Sequence, residues 1–294
     1  MRHFQCVLLD VFTNRLMQGN QLAVFTDARG LTDGEMQSLA GETNLSETTF
    51  IIPREAAIER EHGVKVRIFT VSEELPFAGH PTLGTAAVLR GNSGAAEVAL
   101  DLKVGKIPVT FEDRGADRPF GEMRQRDPEF GALHDRAKIA HILNLSAHEI
   151  SSDVPIQTVS TGMAFAIVPI QKLSTMRNLA FHVQAAEDYA QGSDVKFFYF
   201  VCRETVDSRA RLHARMFFYN GEDPATGSAA GCAAAWMVKY GVAAPEERVM
   251  IEQGIERKRP SEIFVAAGKA VDKIMNVRVG GQSVEIARSQ FTLT

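Results

Sequence analysis

The sequence predicts an α+β protein built from two related domains, and three observations support this prediction. Segments with strand and helix patterns alternate in both halves of the chain. The length of 294 residues exceeds the usual size of a single hydrophobic core. A sequence pattern near residue 80 recurs near residue 223, about half a chain length later. Two similar domains, each with its own sheet, explain all three observations.

Composition and charge narrow the functional class. Hydrophobic residues make up 45% of the chain and charged residues 23%, as in an ordinary soluble globular protein. The 36 acidic and 32 basic residues are spread along the sequence and give a formal charge of −4. Because no basic block is present to neutralise phosphates, a nucleic-acid partner is disfavoured.

The sequence predicts a cytoplasmic protein with no membrane partner. The first residues, MRHFQCVLLDVFTN, are typical of a β-strand and unlike a secretory leader. No apolar run approaches the ~20 residues that a membrane-spanning helix needs. Three cysteines, Cys6, Cys202 and Cys232, are odd in number and lack metal-ligand spacing. We therefore expect buried, reduced thiols and no disulfide framework.

In the first half, strand signals surround one glutamate. The apolar segments 7–12 and 22–25 flank the turn signal Gly19-Asn20 and predict a β-hairpin. The apolar run 50–52 predicts a further, buried strand. Glu47 stands just before this run, so we expect it at the mouth of a buried strand.

A domain boundary is expected near residue 118. The polar stretch Glu112–Pro119 contains a glycine and is the best linker candidate, since element signals begin again after it. The predicted domains are therefore residues 1–118 and 119–281. The C-terminal strand, about residues 282–294, is expected to pack back onto the first domain. Further elements are predicted in the second domain: a helix at 137–143 and strands at 197–202 and 212–219.

The internal repeat consists of two short motifs with similar residue spacing. The sequence HPTLGTAA at 80–87 matches DPATGSAA at 223–230, and position 223 is 143 residues after position 80. Each copy follows a strand with a similar start, Arg67-Ile68-Phe69 or Arg215-Met216-Phe217. This register places His80 and Asp223 at equivalent points just before two helix starts.

Each motif is expected to open a buried, alanine-rich helix. The first helix should run to Arg90 and stop at Gly91, and the second should span 229–240. The free N–H groups and partial positive charge of a helix N-terminus can hold a carboxylate, and glycines allow close approach. Tight helix packing explains the small residues of a single copy as well. For Asp223, helix capping and catalysis both remain open.

Three segments closely resemble the signature segments of the phenazine-biosynthesis PhzF-like family: FTVSEELPFAGHPTLGTAA, NLSETTF and GEDPATGSAAG. Shorter segments at 19–25, 160–162, 253–254 and 259–261 also look like family segments. The resemblance implies a diaminopimelate-epimerase-like fold, with two pseudo-symmetric domains that each wrap a mixed sheet around a central helix. It also implies an active site in the cleft between the domains, a homodimer, and no cofactor.

The resemblance further implies the roles of individual residues. The glutamate of the NLSE-like segment, here Glu47, corresponds to the proton-transferring residue of the family. The implied catalytic residues are Glu47, His80 and Asp223, and the implied substrate-binding residues are Gly79, Gly227 and Ser228.

These roles lead to a mechanistic hypothesis for a small substrate that carries a carboxylate. Glu47 removes a proton from an acidified carbon and returns it elsewhere on the conjugated system, which gives an isomer. A glutamate that works near neutral pH needs a raised pKa, and its apolar neighbours Leu45, Phe50 and Ile51 would favour the neutral acid. Without the resemblance, an exposed glutamate at a strand entrance is the simpler interpretation.

Two alternative functions remain. One is an amino-acid epimerase or racemase of the same fold that uses carboxylate bases; a two-cysteine racemase is disfavoured because Ala78 and Asp223 occupy the loop positions. The other is a catalytically idle binding homologue. We expect no metal, since His134, His141 and His148 are interpreted as solvated histidines on or beside a polar helix face.

Overall fold

A computed structural model describes residues 1–91, 93–113, 119–218 and 221–294. The chain divides into two units: unit 1 comprises Met1–Arg124 and Gly280–Thr294, and unit 2 comprises Gln125–Val279. The expected boundary at residue 118 lies outside the described residues. None of the described helices is long and apolar enough to cross a membrane.

Unit 1 is a mixed sheet with three helices among its described residues. Its elements are β1 (Arg2–Val11), β2 (Asn20–Phe25), α1 (Asp33–Thr43), β3 (Thr48–Ile52), α2 (Ala56–His62), β4 (Val64–Phe69), β5 (Glu74–Leu75), α3 (Gly79–Arg90), β6 (Glu97–Leu102), β7 (Gly105–Glu112), β8 (Phe120–Arg124) and the last strand of the chain, β18 (Ser283–Leu293). The predicted hairpin forms between β1 and β2, and β18 pairs with β1. The strand order is β18-β1-β2-β3-β4-β6-β7-β8, with β5 also on β4.

Unit 2 repeats this arrangement. Its elements are β9 (Glu129–Leu133), α4 (Arg136–Ile142), β10 (Gln157–Ser160), β11 (Ala164–Ile170), α5 (Leu173–Arg177), α6 (Val183–Gln191), β12 (Phe197–Cys202), β13 (Ala210–Phe218), β14 (Gly221–Glu222), α7 (Gly227–Lys239), β15 (Val249–Gln253), β16 (Ser261–Ala270) and β17 (Lys273–Gly281), whose last two residues belong to unit 1. The order β9-β10-β11-β12-β13-β15-β16 contains parallel pairs at β11-β12 and β13-β15. Unit 1 has its parallel pairs at the matching places, β2-β3 and β4-β6.

One buried helix packs on the sheet of each unit. Helix α3 contacts β1, β2 and β6, and helix α7 contacts β10, β11 and β16. Every residue of α7 from Ala229 to Val238 is buried. On the other face of the unit 2 sheet, side chains of β12 form an apolar core with helices α4 to α6. The predicted α+β, diaminopimelate-epimerase-like fold with a central helix in each half is confirmed.

The structural register of the repeat differs from the one that the sequence suggested. Each unit contains a buried or half-buried Arg-Glu pair with two parallel hydrogen bonds: Arg67 with Glu74, at 2.8 and 2.7 Å, and Arg215 with Glu222, at 2.7 and 2.9 Å. The partners sit seven residues apart in both units. Arg215 and Glu222 lie 148 residues after their counterparts, and so does the first residue of α7 relative to that of α3.

The 143-residue register is therefore wrong. It aligned Gly84, in the middle of α3, with Gly227, which begins α7. Gly84 is a packing residue, since a Cβ there would lie 2.6 Å from Cδ2 of Leu22. In the 148-residue register, His80 corresponds to Ser228, and Asp223 corresponds to Leu75. His80 is the second residue of its helix rather than a residue before it.

Candidate functional site

Glu47 lies at the mouth of a buried strand, as predicted. Strand β3 starts at the next residue and pairs with β2 and β4. Glu47 is only 8% exposed, so the interpretation of an exposed surface glutamate is wrong. Phe50 is fully buried within β3 and stacks on Phe25, with ring centroids 4.9 Å apart. The Glu47 carboxyl group is therefore largely shielded from solvent at the start of this strand.

The side chain of His80 lies beside the Glu47 carboxyl group. The Nε2 atom of His80 lies 3.6 Å from Oε2 of Glu47, and the histidine side chain is 4% exposed. On the other side of the ring, Nδ1 lies 3.3 Å from Nδ2 of Asn20, the first residue of β2. Helix α3 and strand β2 together hold the imidazole next to the carboxyl group.

The imidazole of His80 is uncharged at neutral pH. Burial lowers the pKa of His80 to about 3, although the backbone of Gln21 favours the protonated form. A neutral imidazole carries one N–H and one lone pair. His80 can therefore donate one hydrogen bond or accept one at the Glu47 side, but it does not form a permanent ion pair there.

In unit 2, Asp223 belongs to a buried hydrogen-bond network. The hydroxyl of Thr226 donates to Oδ2 of Asp223 at 2.6 Å. The amide of Gln253 donates to the Asp223 carbonyl at 2.8 Å, and its oxygen accepts from the backbone N–H of Thr226 at 3.2 Å. Tyr199 donates to the same amide oxygen at 3.0 Å. The N-cap residue of α7 is Thr226 and not Asp223.

The loop that carries Asp223 is braced from the end of β15. Gly254 has φ +79°, and a Cβ there would lie 2.5 Å from the carbonyl oxygen of Pro224. Only glycine fits this close approach in the left-handed region. The hydroxyl of Ser261 donates to the same carbonyl at 2.9 Å. The family-like segments at 253–254 and 259–261 thus support the Asp223 loop.

Gly227 and Ser228 occupy the first turn of α7. The Gly227 carbonyl accepts a hydrogen bond of 3.0 Å from the amide of Gln125, whose oxygen accepts from Thr161 at 2.7 Å. The Gln125 amide sits so close to the helix that a Cβ on Gly231 would lie 1.9 Å from its oxygen. The start of α7 is therefore held rigidly, with its first backbone N–H groups at the end of the Asp223 loop.

Each unit thus assembles part of the predicted set. Unit 1 brings together Glu47 and His80, with Gly79 as the first residue of α3. Unit 2 brings together Asp223, Gly227 and Ser228 at the start of α7. Sequence reasoning missed the supporting residues Asn20, Tyr199, Thr226 and Gln253. Asn20, Thr226 and Gln253 lie in segments with a family-like pattern, which was the available signal for these three.

Two further expectations have different outcomes. All three cysteines are free and buried, as predicted. His134 is not solvated: its Nδ1 lies 2.8 Å from the Tyr189 hydroxyl and its Nε2 lies 2.7 Å from the Thr158 hydroxyl. His134 therefore ties β9 to its neighbours inside unit 2. Within the described ranges, no group of three or more His, Cys, Asp or Glu side chains has the arrangement of a metal site.

Comparisons with known proteins agree on one family. The PhzC-PhzF family model, described as phenazine biosynthesis-like protein, matches residues 9–289. The chain is 35% identical to a protein named as an isomerase from Mesorhizobium japonicum, over 96% of each chain. It is 31% identical to the trans-2,3-dihydro-3-hydroxyanthranilate isomerase of Pseudomonas chlororaphis, over the full length of both.

A solved structure supports the same assignment. The PhzF-family phenazine biosynthesis protein of Bacillus anthracis superposes on this chain with a TM-score of 0.89 and 26% identity, and the match covers all of both chains. The sequence motifs, the repeated fold and these full-length matches lead to one conclusion. The chain belongs to the PhzC-PhzF family of phenazine biosynthesis-like proteins and is an isomerase.

Proposed function

We propose that this protein is a cofactor-independent isomerase that moves a proton on a small, carboxylate-bearing substrate, with Glu47 as the acid/base. The observation that carries the proposal is the buried Glu47 carboxyl group beside the neutral ring of His80. A group that both removes and returns a proton must be shielded from bulk water, so that the proton is not lost between the two steps. The burial of Glu47, which is 8% exposed, supplies this shielding.

His80 has a positioning and polarising role in this proposal. Its neutral ring can donate to the ionised carboxylate of Glu47 or accept from the protonated carboxyl group, depending on which nitrogen carries the proton. The 3.6 Å separation is longer than a hydrogen bond, so a modest approach of the two groups is required. Such tightening on substrate binding is common in active sites.

The residues at the start of α7 serve the same reaction. Backbone N–H groups of Gly227 and Ser228 suit a substrate carboxylate, because the first turn of a helix leaves these donors without helical acceptors. Gly79 would contribute in the same way at the start of α3. The Asp223 carboxylate is held by the hydrogen bond from Thr226. We propose that Asp223 either orients the substrate or relays a proton to it.

The asymmetry of the repeat argues against a racemase whose two bases occupy equivalent points of the two units. Thr49 pairs with Ile68 in β3-β4, and Tyr199 pairs with Met216 in β12-β13, 148 residues after Ile68. Tyr199 therefore corresponds to Thr49 in the strand pairing. Phe197 and Glu47, each two residues earlier, correspond to each other. Unit 2 therefore has a phenylalanine, which cannot transfer protons, at the point equivalent to Glu47, as expected if Glu47 performs both proton transfers.

The substrate proposed for testing is trans-2,3-dihydro-3-hydroxyanthranilate, after the name of the Pseudomonas relatives. Wild-type protein should isomerise it or a related cyclic carboxylate, and Glu47→Gln should not. Glu42→Gln, an exposed change on α1, is the matched control and should keep wild-type turnover. Undiminished turnover of Glu47→Gln would remove Glu47 from the mechanism. Inversion of an amino-acid stereocentre, without isomerisation, would favour the epimerase instead.

The remaining expectations also belong to this proposal. We expect a homodimer that acts in the cytoplasm without cofactor or metal. Light scattering of the purified protein tests the dimer. Exhaustive dialysis against a chelator tests whether turnover needs a metal or cofactor. The turnover rate should be the same before and after dialysis.

A further inference from the structure

His213 forms a buried clamp in unit 2 that the proposed chemistry does not use. Its ring is fully buried, with Nδ1 2.8 Å from Oε1 of Glu252 and Nε2 3.3 Å from Oε1 of Glu256. Burial opposes a charge on the ring, but the two carboxylates outweigh this and raise the pKa of His213 above its usual value. An imidazolium between two carboxylates is the state that this arrangement stabilises.

The two carboxylates belong to different backbone segments, a strand and the turn that follows it. Glu252 lies on β15, and its oxygens also accept the backbone N–H groups of Val206 and Asp207, at 2.6 and 2.7 Å. Glu256 lies in the turn Gly254–Arg259, which is closed by hydrogen bonds from Arg257 and Arg259 to the Gly254 carbonyl. His213 therefore ties strand β13 to β15, to the loop at 206–207 and to this turn.

The clamp and the Asp223 loop share the end of β15. Consecutive residues of a strand point to opposite faces of a sheet. Glu252 accordingly contacts His213, while Gln253 contacts Thr226 and the Asp223 carbonyl. The next residue, Gly254, packs against the Pro224 carbonyl. A shift of this strand end or of the turn would move the support of Asp223.

We propose that His213 is a positioning residue for Asp223: its contact with Glu256 holds the Gly254–Arg259 turn against Pro224 and thereby fixes the Asp223 loop. The groups that face the ring are Glu252 and Glu256, with Cys202 beside it on β12 and Arg215 two residues along β13. The guanidinium group of Arg215 forms an ion pair with Glu222. Loss of the ring proton leaves the buried Glu256 carboxylate without its cationic partner at His213.

Hydrogen exchange tests this proposal without any need for a substrate. Protection factors are measured for the backbone N–H groups of Thr226, Arg257 and Arg259, and each rate is corrected for its intrinsic pH dependence. In wild type, protection of these amides should fall tenfold or more as the pH rises through the titration of His213, which is followed by NMR of the ring. Constant protection across that titration would overturn the proposal.

Variants separate the clamp from a general loss of structure. His213→Gln should lower protection of the three amides by tenfold or more at pH 7 and should remove its pH dependence. The double change His213→Gln with Glu256→Gln should restore most of the protection, because the side chain at 256 no longer carries a charge and Glu252 keeps its hydrogen bonds from Val206 and Asp207. His141→Gln, an exposed histidine of the same unit, is the matched control and should change nothing. Equal loss of protection throughout β10 and β11 in His213→Gln would contradict a local role.

The catalytic consequence rests on the proposed function. His213→Gln should lower kcat/KM by tenfold or more at pH 7, and the double variant should recover it. Absence of turnover in wild type would count against the proposed reaction, whereas the exchange measurements would still decide the role of His213.

Discussion

The Nε2 atom of His80 stands 3.6 Å from Oε2 of Glu47, with both side chains buried at the start of two different elements. The helix α3 fixes the histidine and the strand β3 fixes the glutamate, so their separation is set by the packing of unit 1. The pair holds an uncharged ring beside a carboxyl group, which is a suitable arrangement for proton transfer to and from Glu47.

His80 should stay neutral over the working range of pH. Since burial lowers its pKa to about 3, its ring should show no titration between pH 5 and 8 when followed by NMR. A folded pKa below the unfolded value of ~6.5 means that the unfolded chain binds the extra proton. The stabilising contribution is therefore complete above pH ~6.5 and is lost as the pH falls toward 3. A ring that titrates near pH 6.5 in the folded protein would contradict this.

Replacement of His80 by Gln should slow the reaction more than it destabilises the protein. We expect kcat to fall by roughly 10- to 100-fold, since a positioning group is lost while Glu47 remains. KM should change less. An unchanged kcat would show that the ring is only a packing residue.

Gly254 should tolerate alanine far less well than another glycine of the same unit. Gly254 and Gly241 have φ values of +79° and +70°, so both changes cost ~1–2 kcal/mol of unfolding free energy for the left-handed backbone. Only at Gly254 does the new Cβ meet backbone atoms, within 2.5 Å, whereas nothing lies within 4 Å at Gly241. Chemical denaturation should show a larger loss for Gly254→Ala, and turnover should fall only in that variant. Equal losses would argue against the close approach to Pro224.

The change Gln253→Leu measures how much the hydrogen-bond network around Asp223 contributes to the free energy of unfolding. The change removes the acceptor of the Tyr199 hydroxyl and of the Thr226 N–H, and each buried group left unsatisfied costs ~1–3 kcal/mol. The expected loss of unfolding free energy is thus about 2 kcal/mol or more. Gln184→Leu, an exposed change on α6, serves as the control and should stay within ~0.5 kcal/mol.

The free energy of unfolding should also depend on pH through His213. Because contacts with Glu252 and Glu256 raise the folded pKa of His213 above the unfolded value of ~6.5, the folded state holds the proton more tightly. This contribution is complete below pH ~6.5 and is lost as the pH rises through the folded pKa. Denaturation curves from pH 6 to 9 should show a smaller decline in His213→Gln than in wild type. Parallel declines would show that His213 does not contribute.

Much of the fold could be predicted from the sequence because local residue patterns determine where many strands and helices begin and end. Short apolar segments on either side of the Gly19-Asn20 turn signal predicted the β1-β2 hairpin, and the glycine after Arg90 predicted the end of α3. Spacing alone did not fix the repeat register, since proline and glycine recur at similar intervals for different reasons. The strand starts Arg67-Ile68-Phe69 and Arg215-Met216-Phe217 are 148 residues apart and already agreed with the structural register, and the Arg67-Glu74 and Arg215-Glu222 contacts confirm it.

The candidate site was predictable only in its principal residues. Glu47, His80, Asp223 and Thr226 stand in recognisable motifs, although the motif did not show that Thr226 has a supporting role, whereas Tyr199 has ordinary strand surroundings in the sequence. The importance of Tyr199 comes from Gln253, which lies 54 residues after Tyr199 and receives its hydrogen bond. Such long-range polar contacts leave no periodic signal.

Proton transfer by Glu47 is tested most directly by reaction in heavy water. Wild-type protein and Glu47→Gln are incubated with trans-2,3-dihydro-3-hydroxyanthranilate, and deuterium incorporation into substrate and product is followed by NMR. Wild type should isomerise the substrate, with deuterium at the carbon that receives the proton or with direct return of the original proton, and Glu47→Gln should do neither. Isomerisation by Glu47→Gln at the wild-type rate would contradict proton transfer by Glu47.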